Sequence, residues 1–265
     1  MILQKPLLTT LTAVILSMGC GGPQEEAGNT ASAEPAVPEL QVPAFHADSA
    51  YYYVGKQVAF GPRVPGTTAQ KDCARWLQLQ LTNFCDTVYL QETSLLAGDN
   101  KTKLPCINLI GCINPAAQRR ILLLAHWDSR PWTDQDPQPS EKGVDGADDG
   151  ASGVGVLLEI ARVLKSTPLQ NKDIGVDILF VDVEDYGKSE WGEDSYALGT
   201  QYWARNPHQP GYRAQAGILL DMVGAPNARF AMEAYSKKYA PQVLNEVWAA
   251  ASRAGYSSYF VYGFR

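Results

Sequence analysis

Eight residues able to ligate a metal or transfer a proton lie at four places along the chain, three of them after apolar runs and one in a glycine-rich loop before a helix. They are His126, Asp128, Asp148, Asp149, Asp182, Glu184, Asp185 and Asp221. If the apolar runs are strands of one parallel sheet, their carboxyl ends share an edge and these side chains meet there. Crowded carboxylates repel one another and take up protons unless a cation compensates them. Carboxylate and imidazole ligands suit zinc, so the pattern predicts a metal-dependent hydrolase or transferase.

Each of these residues also has an ordinary structural explanation. An aspartate before a helix, such as Asp148, is more often an N-cap than a ligand. A lone histidine after a strand is more often structural, and Asp221 at a strand end is compatible with an ion pair to an arginine. The joint pattern favours the metal site, because all four places carry acidic groups or a histidine.

Other catalytic patterns are absent from the sequence. The stretch GASGVG is not a nucleophile elbow, because Val154 occupies the position that needs glycine. It is not a dinucleotide-binding fingerprint either, since Leu158 replaces the third glycine. The sequence contains no P-loop and no HExxH motif. These absences leave the acidic constellation as the candidate site.

Helical and strand patterns alternate along most of the chain. Helices are predicted over 49–59 (capped by Asp48), 69–83, 151–165, 195–204 and 240–254. Short, almost wholly apolar runs such as RRILLLAHW, IGVDILFVDV and AGILLDMV are typical of central strands covered on both faces. The alternation predicts an α/β domain with a largely parallel sheet.

Composition bounds the possible functions. The 265 residues are 45% hydrophobic, which suffices for one large globular domain. The net charge of −6 and the lack of a basic cluster argue against nucleic acid as a partner. Cys73, Cys85, Cys106 and Cys112 are expected to be free buried thiols or to form one disulfide. Cys106 and Cys112 are not expected to bridge, since six residues of one strand separate them too far.

The N-terminus has the features of an export signal. Lys5 precedes an apolar run from Leu7 to Met18, which is too short to span a bilayer. The run ends in SMGC and resembles a bacterial lipoprotein signal in which Cys20 is lipidated, although Ser17 replaces the usual leucine. The predicted organisation is a signal over 1–20, a flexible tether over 21–44 and a domain over 45–265. The protein is expected to be periplasmic or anchored to the outer membrane, with plain secretion as the alternative.

Four motifs together resemble a known enzyme family. AHWDSRP, DGADDGASG, FVDVEDYG and LLDMVGAPN, in this order, are similar to the bacterial zinc-dependent glutaminyl cyclases, relatives of the glutaminyl-peptide cyclotransferases. The likeness runs from about Ala47 to about Val261. It implies a three-layer α/β/α fold of the zinc aminopeptidase type. It also implies one zinc ion and conversion of N-terminal glutamine to pyroglutamate with release of ammonia.

The resemblance assigns roles to individual residues. Asp149 and Asp185 fall on zinc-ligand positions, and Glu184 falls on the general acid/base. Asp221 matches an aspartate of the active-site hydrogen-bond network, and Trp191 lies near a tryptophan that lines the substrate pocket.

Two further positions are shared with the aminopeptidases. His126 and Asp128 match residues that hold a second zinc ion there, and the resemblance assigns His126 to the wall of the site. The expected partners are peptides or proteins with N-terminal glutamine. No nucleic acid is expected, membrane contact is expected only through the lipid anchor, and the protein is predicted to be a monomer.

The sequence departs from the family pattern at its C-terminal end. The family continues with an Asp-Asp-His run and a Trp-His pair whose histidine is the third zinc ligand, together with a final strand and helix. This sequence ends at Arg265, and neither His46 nor His208 matches that ligand position. The chain is therefore expected to be a truncated form that binds zinc weakly and is inactive or nearly so. Two alternatives remain, a zinc aminopeptidase of the same fold and a non-catalytic surface lipoprotein.

Overall fold

A computed structural model describes residues 42–134 and 136–264. The predicted signal, most of the predicted tether and Cys20 lie outside the described residues. Among the described residues, no helix has the length and apolar character needed to cross a membrane.

The described elements follow the predicted alternation. The helices are α1 Ala47–Val58, α2 Thr68–Phe84, α3 Ala151–Ser166, α4 Leu198–Arg205, α5 Ala234–Tyr239 and α6 Pro241–Arg253. The strands are β1 Thr87–Leu96, β2 Lys103–Ile113, β3 Arg119–His126, β4 Ile174–Val181, β5 Ala216–Leu219, β6 Phe230–Met232 and β7 Phe260–Phe264.

Five strands form the central sheet, in the order β1-β2-β4-β3-β5. The pairs β4–β3 and β3–β5 are parallel, whereas β2 is antiparallel to both of its neighbours. Four of the five strands therefore run in the same direction, and the sheet is mixed because of β2 alone. A separate pair, β6 and β7, runs parallel.

Helices cover both faces of this sheet, so the predicted three-layer α/β/α architecture is confirmed. Adjacent residues of a strand point to opposite faces. Leu109 and Ile178 pack in the core shared with α1, α2 and α3. Their neighbours Ile110 and Leu179 pack on the other face, against Trp203 of α4. Burial on both faces explains why β3 and β4 are almost continuously apolar.

The helix starts show where local sequence signals hold and where they fail. Thr67 caps α2 by accepting a hydrogen bond from the Gln70 amide at 3.2 Å. The predicted Asp48 cap of α1 is wrong, because the N-cap is His46 and Asp48 lies in the first turn. The His46 amide instead donates to Glu159 of α3 at 2.9 Å. A tertiary contact thus replaces the local cap.

The described cysteines confirm the prediction about pairing. Cys106 and Cys112 lie on the same strand, β2, and do not bridge. Cys73, Cys85, Cys106 and Cys112 are all buried free thiols. Burial raises the pKa of Cys73 to about 12, so this thiol is held in its unreactive protonated form.

Candidate metal and catalytic site

The sheet brings the predicted site residues to one edge. His126 ends β3 and lies in register with Val181, the last residue of β4. Leu124 of β3 pairs with Leu219 at the end of β5. The segments after β3, β4 and β5 therefore leave the sheet side by side, as the sequence predicts.

Three side chains converge into a group that is able to hold a metal ion. Nε2 of His126 lies 2.8 Å from Oδ1 of Asp149 and 3.4 Å from Oδ1 of Asp221. The three ligand atoms all lie within 4.8 Å of one another. His126 is almost fully buried, whereas about half of the Asp149 side chain is exposed. The structure thus places the His126 ring nitrogen among the possible metal-binding atoms, closer to the carboxylates of Asp149 and Asp221 than its expected position on the wall of the site.

Glu184 and Asp185 complete the cluster. The Asp185 carboxyl interacts with the Asp149 carboxyl, so the two predicted zinc ligands are neighbours. Oδ2 of Asp185 is buried and has no hydrogen-bond partner among the described residues. Glu184 precedes Asp185 on the same segment, and the charges of His126 and Asp221 act on it.

The Asp128 carboxylate contacts three members of this cluster. Its Oδ1 accepts a hydrogen bond from the Glu184 amide at 3.0 Å, and its Oδ2 accepts one from the Asp185 amide at 3.2 Å. Oδ1 also lies 3.4 Å from Nδ1 of His126. In the neutral ring, which is the form that binds a metal, a carboxylate beside Nδ1 favours the tautomer with a proton there and leaves Nε2 as the lone-pair nitrogen. One buried carboxylate therefore orients three members of the site.

The aspartates of the loop before α3 do not cap this helix, and Asp149 points to His126 instead. The N-cap of α3 is Gly150 at φ 95°, a left-handed conformation that glycine adopts without strain. A Cβ atom at this position would lie 2.7 Å from the carbonyl oxygen of Asp128. Asp148 is not the cap, because its Oδ1 accepts a hydrogen bond from the Gly224 amide at 2.7 Å. It ties the acidic loop to the segment after β5.

Arg63 is a site-supporting residue that sequence reasoning missed. It is fully buried and donates to the carbonyl oxygens of Trp127 at 3.2 Å and Gly146 at 2.7 Å, and to that of Asp145. Its guanidinium holds the acidic loop against the segment after β3. It also places a positive charge behind the carboxylates. The only available signal was an arginine in a proline-containing loop, which is also common on protein surfaces.

The protonation states reflect the crowding of these groups. Burial raises the pKa of Glu184 to about 7, and burial together with the Asp128 charge raises the pKa of Asp185 to about 7. Burial opposes protonation of His126, but its interactions with Asp128, Asp149 and Asp221 raise its pKa well above the usual value. The interaction with His126 lowers the pKa of Asp149. The cluster thus retains protons near neutral pH when no cation is bound.

The donor chemistry fits a divalent metal such as zinc. The group offers one imidazole nitrogen and several carboxylate oxygens, which are ordinary zinc ligands. Nε2 of His126 is buried and not aligned for a hydrogen bond with Asp149, despite the 2.8 Å separation. Buried polar atoms normally have a partner, so this nitrogen and the unpartnered Oδ2 of Asp185 are both available to a bound ion.

Trp191 lies on a 3₁₀ turn, Ser189–Trp191, and not among the carboxylates. Its ring packs edge-on against Trp132 with centroids 6.0 Å apart. Arg130 lies over Trp132 and donates to the Asp185 carbonyl oxygen at 3.0 Å. Trp191 therefore belongs to an aromatic cluster that adjoins the carboxylate site through Arg130.

A second group of possible metal ligands lies away from this edge, on the face of the sheet that α4 covers. Cys112, Asp177 and His208 bring their ligand atoms within 4.8 Å of one another. Both oxygens of Asp177 already accept from Arg120, at 2.5 and 2.9 Å, and one also accepts from Tyr212 at 2.8 Å. A buried ion pair explains this group without a metal.

Comparison with known proteins identifies the family. The sequence profile of peptidase family M28 matches residues 108–264, more than half of the chain. The chain belongs to peptidase family M28. The matched region contains all the donor residues described above.

Solved structures similar to this M28 chain include cyclases and an exopeptidase. Glutaminyl cyclase from Bacteroides thetaiotaomicron, bound to N-acetylhistamine, is 46% identical, with a TM-score of 0.80. The match covers 84% of this chain and 78% of that one. A zinc-dependent exopeptidase from Parabacteroides distasonis is 51% identical with a TM-score of 0.81, over 85% of this chain and 78% of that one.

Curated relatives of this M28 chain are matched over shorter segments. Glutaminyl-peptide cyclotransferase of Drosophila melanogaster is 33% identical over 136 residues, which is 49% of this chain and 36% of the relative. A glutaminyl-peptide cyclotransferase-like protein of Bos taurus is 28% identical over 63% of this chain and 45% of the relative. The chain thus spans less than half the length of these relatives.

Replacing Asp128 tests its orienting role. In Asp128→Asn, an amide NH2 faces one of the two backbone donors, so the Glu184–Asp185 segment loses an acceptor. We expect zinc affinity, measured by calorimetric titration, to fall by about tenfold to a hundredfold. Asp173→Asn, which removes an exposed carboxylate outside the site, is the matched control and should leave the affinity unchanged. Equal affinities for the two variants would contradict the assigned role.

The raised carboxyl pKa values predict how the stability of the metal-free chain depends on pH. A carboxyl group with a higher pKa in the folded state binds its proton more tightly there. Its contribution is present at low pH and is lost as pH rises through the folded value. With Glu184 at about 7, we expect the free energy of unfolding to fall by on the order of 2 kcal/mol between about pH 5 and about pH 8.

Urea denaturation over this pH range measures the effect. The decrease should be smaller in Glu184→Gln, which has no carboxyl group to titrate. A free energy of unfolding that is constant or rises over the range in the parent chain would contradict the raised pKa.

Proposed function

We propose that this M28 protein cyclises the N-terminal glutamine of peptides to pyroglutamate and releases ammonia. The observation that carries the proposal is the half-buried Glu184 carboxyl, whose pKa is raised by burial to about 7 and on which the charges of the His126, Asp149 and Asp221 donors act. Identities of 46–49% to solved glutaminyl cyclases from Bacteroides thetaiotaomicron, Tannerella forsythia and Porphyromonas gingivalis support the same reaction.

A single zinc ion would be held by Asp149 and Asp185, and His126 and Asp221 belong to the same donor group as Asp149. When bound, zinc polarises the γ-carbonyl of the glutamine side chain as a Lewis acid. The Asp128 carboxylate supports this arrangement by fixing the Asp185 backbone and the His126 ring.

Glu184 is the proposed proton carrier. Its carboxylate takes a proton from the α-amine of the substrate, and this nitrogen attacks the γ-carbonyl carbon of the same residue. The C–N bond to the side-chain amide then breaks, and Glu184 returns the proton to the departing ammonia. A pKa near the working pH suits a group that must both accept and donate. Because the attack is intramolecular, the site needs only to select a conformer and stabilise charge.

Two residues complete the proposed site. Asp221, whose Oδ1 lies 3.4 Å from Nε2 of His126, is proposed to join the active-site hydrogen-bond network. Trp191 is proposed to line the substrate pocket from the aromatic cluster next to Arg130 and Trp132.

An aminopeptidase activity is the second candidate, and one observation favours it. The His126, Asp149 and Asp221 group offers three donors by itself. Together with Asp185, it provides enough ligands for the pair of metals that peptidases often use to activate water. The similar exopeptidase structure from Parabacteroides distasonis is consistent with this alternative.

The two activities and the absence of activity are separated by one assay. The purified chain, with zinc in excess, is incubated with a Gln-Ala-Ala peptide and with a Leu-Ala-Ala peptide, and the products are identified by mass spectrometry. We expect the glutamine peptide alone to lose one ammonia while all its residues remain. Release of free leucine or glutamine would favour the aminopeptidase. No product from either peptide would contradict the proposal for this chain, and it is the result expected both of the inactive truncated form and of the non-catalytic lipoprotein.

Glu184→Gln identifies the proton carrier in this assay. The loss of a general acid/base is expected to lower kcat by about a hundredfold or more. Glu193→Gln, an exposed residue outside the cluster, is the matched control and should retain the parental rate. Weak zinc affinity, the monomeric state, export and the lipid anchor at Cys20 stay predictions.

A further inference from the structure

The turn between β4 and the Glu184–Asp185 pair contains a strained residue. Val183 has φ 55°, in the left-handed region. A β-branched side chain is especially unfavourable there, because it collides with the local backbone. Such conformations persist only where the surrounding structure enforces them, and they concentrate at functional sites.

Hydrogen bonds fix the backbone on both sides of Val183. The Val183 amide donates to Oδ1 of Asp182 at 2.9 Å, and the Val183 carbonyl accepts from the Leu198 amide at 3.0 Å. The Glu184 carbonyl accepts from the Ala197 amide at 3.0 Å. Ala197 itself has φ 53°, so two left-handed residues are held against each other. The first residue of α4 and its N-cap thus hold the backbone of the turn in place through two hydrogen bonds.

Asp182 anchors the other side of the turn. Its side chain is fully buried, and Oδ2 accepts hydrogen bonds from the Ile107 amide at 2.8 Å and from Nε2 of Gln70 at 2.7 Å. The Asp182 amide donates to Oδ1 of Asn108 at 2.9 Å. The turn is therefore tied to β2 and α2 as well as to α4.

The Val183 side chain explains why the strain is tolerated. It is fully buried and packs with Ala97, Leu104 and Cys106. Glycine would adopt this φ without penalty but would have no side chain to pack. The favourable burial of the isopropyl group offsets the unfavourable backbone and fixes the turn in one orientation.

We propose that Val183 is a positioning residue whose buried side chain holds the strained turn that directs Glu184 and Asp185 toward the donor cluster. The next two amides, those of Glu184 and Asp185, are the ones that donate to Asp128. A rotation at Val183 would move both amides and both carboxylates together. The kinetic part of its test rests on the proposed cyclisation.

Substitutions at Val183 separate packing from strain. Val183→Gly removes both the side chain and the strain, Val183→Ala removes only part of the side chain, and Val183→Thr keeps the branched shape. Val176→Ala is the matched control, because Val176 is a buried valine on β4 remote from the turn. Thermal unfolding identifies any variant that does not fold, in which case Val183→Ala is measured in place of Val183→Gly.

Kinetics and amide exchange are the two measurements. We expect Val183→Gly to lower kcat for the glutamine peptide by about tenfold or more, with little change in KM. The Glu184 and Asp185 amides should exchange faster with solvent, also by about tenfold or more. Val183→Thr should keep kcat and the amide exchange rates close to those of the parent. Val176→Ala should leave both quantities unchanged even if it lowers the melting temperature.

The outcomes distinguish the failure of this proposal from that of the proposed function. If the parent chain forms no pyroglutamate, the proposed function fails, and amide exchange alone decides the role of Val183. If exchange and kcat in Val183→Gly match those of the parent, the positioning role is wrong. The same conclusion follows if Val176→Ala accelerates the exchange of these two amides equally.

Discussion

Repulsion among crowded carboxylates is the constraint on which the rest of this site depends. Asp128, Asp149, Glu184, Asp185 and Asp221 meet at one edge of the sheet. Burial together with the neighbouring negative charges disfavours the ionised forms of Glu184 and Asp185. The fold compensates with backbone amides on Asp128, with the imidazole of His126 and with the buried guanidinium of Arg63. The remaining negative charge is what a divalent cation would neutralise.

The sheet and α3 impose this proximity. Parallel pairing of β3 with β4 and β5 places three segment starts side by side. The first turn of α3 approaches the end of β5 so closely that a Cβ atom at Gly153 would collide with the Leu220 carbonyl oxygen. Glycine permits this approach and so brings Asp149 and Asp221 to His126. Packing between elements therefore sets the spacing of the donors.

The sequence predicted the location of the site because its signals are local. An apolar run followed at once by His126 or Asp182 marks the end of a buried strand, and the ends of parallel strands converge. The reversed direction of β2 was not predicted, although the short connection between β1 and β2 is typical of antiparallel neighbours.

Tertiary contacts decide the features that sequence reasoning did not predict. Arg63 bonds to carbonyl groups more than sixty residues away, and such partners leave no local pattern. The predicted start of the fourth helix at Ser195 is wrong, because α4 begins at Leu198 after the left-handed Ala197. The place of His126 inside the donor group follows from a distance that spacing along the chain does not encode.

The most direct test of this account is diffraction from zinc-soaked crystals, recorded on both sides of the zinc absorption edge. The account predicts one anomalous peak between the carboxylates of Asp149 and Asp185, beside His126 Nε2. An absence of zinc from this cluster at saturating metal would contradict it. A peak only at the Cys112–His208 group would contradict it as well.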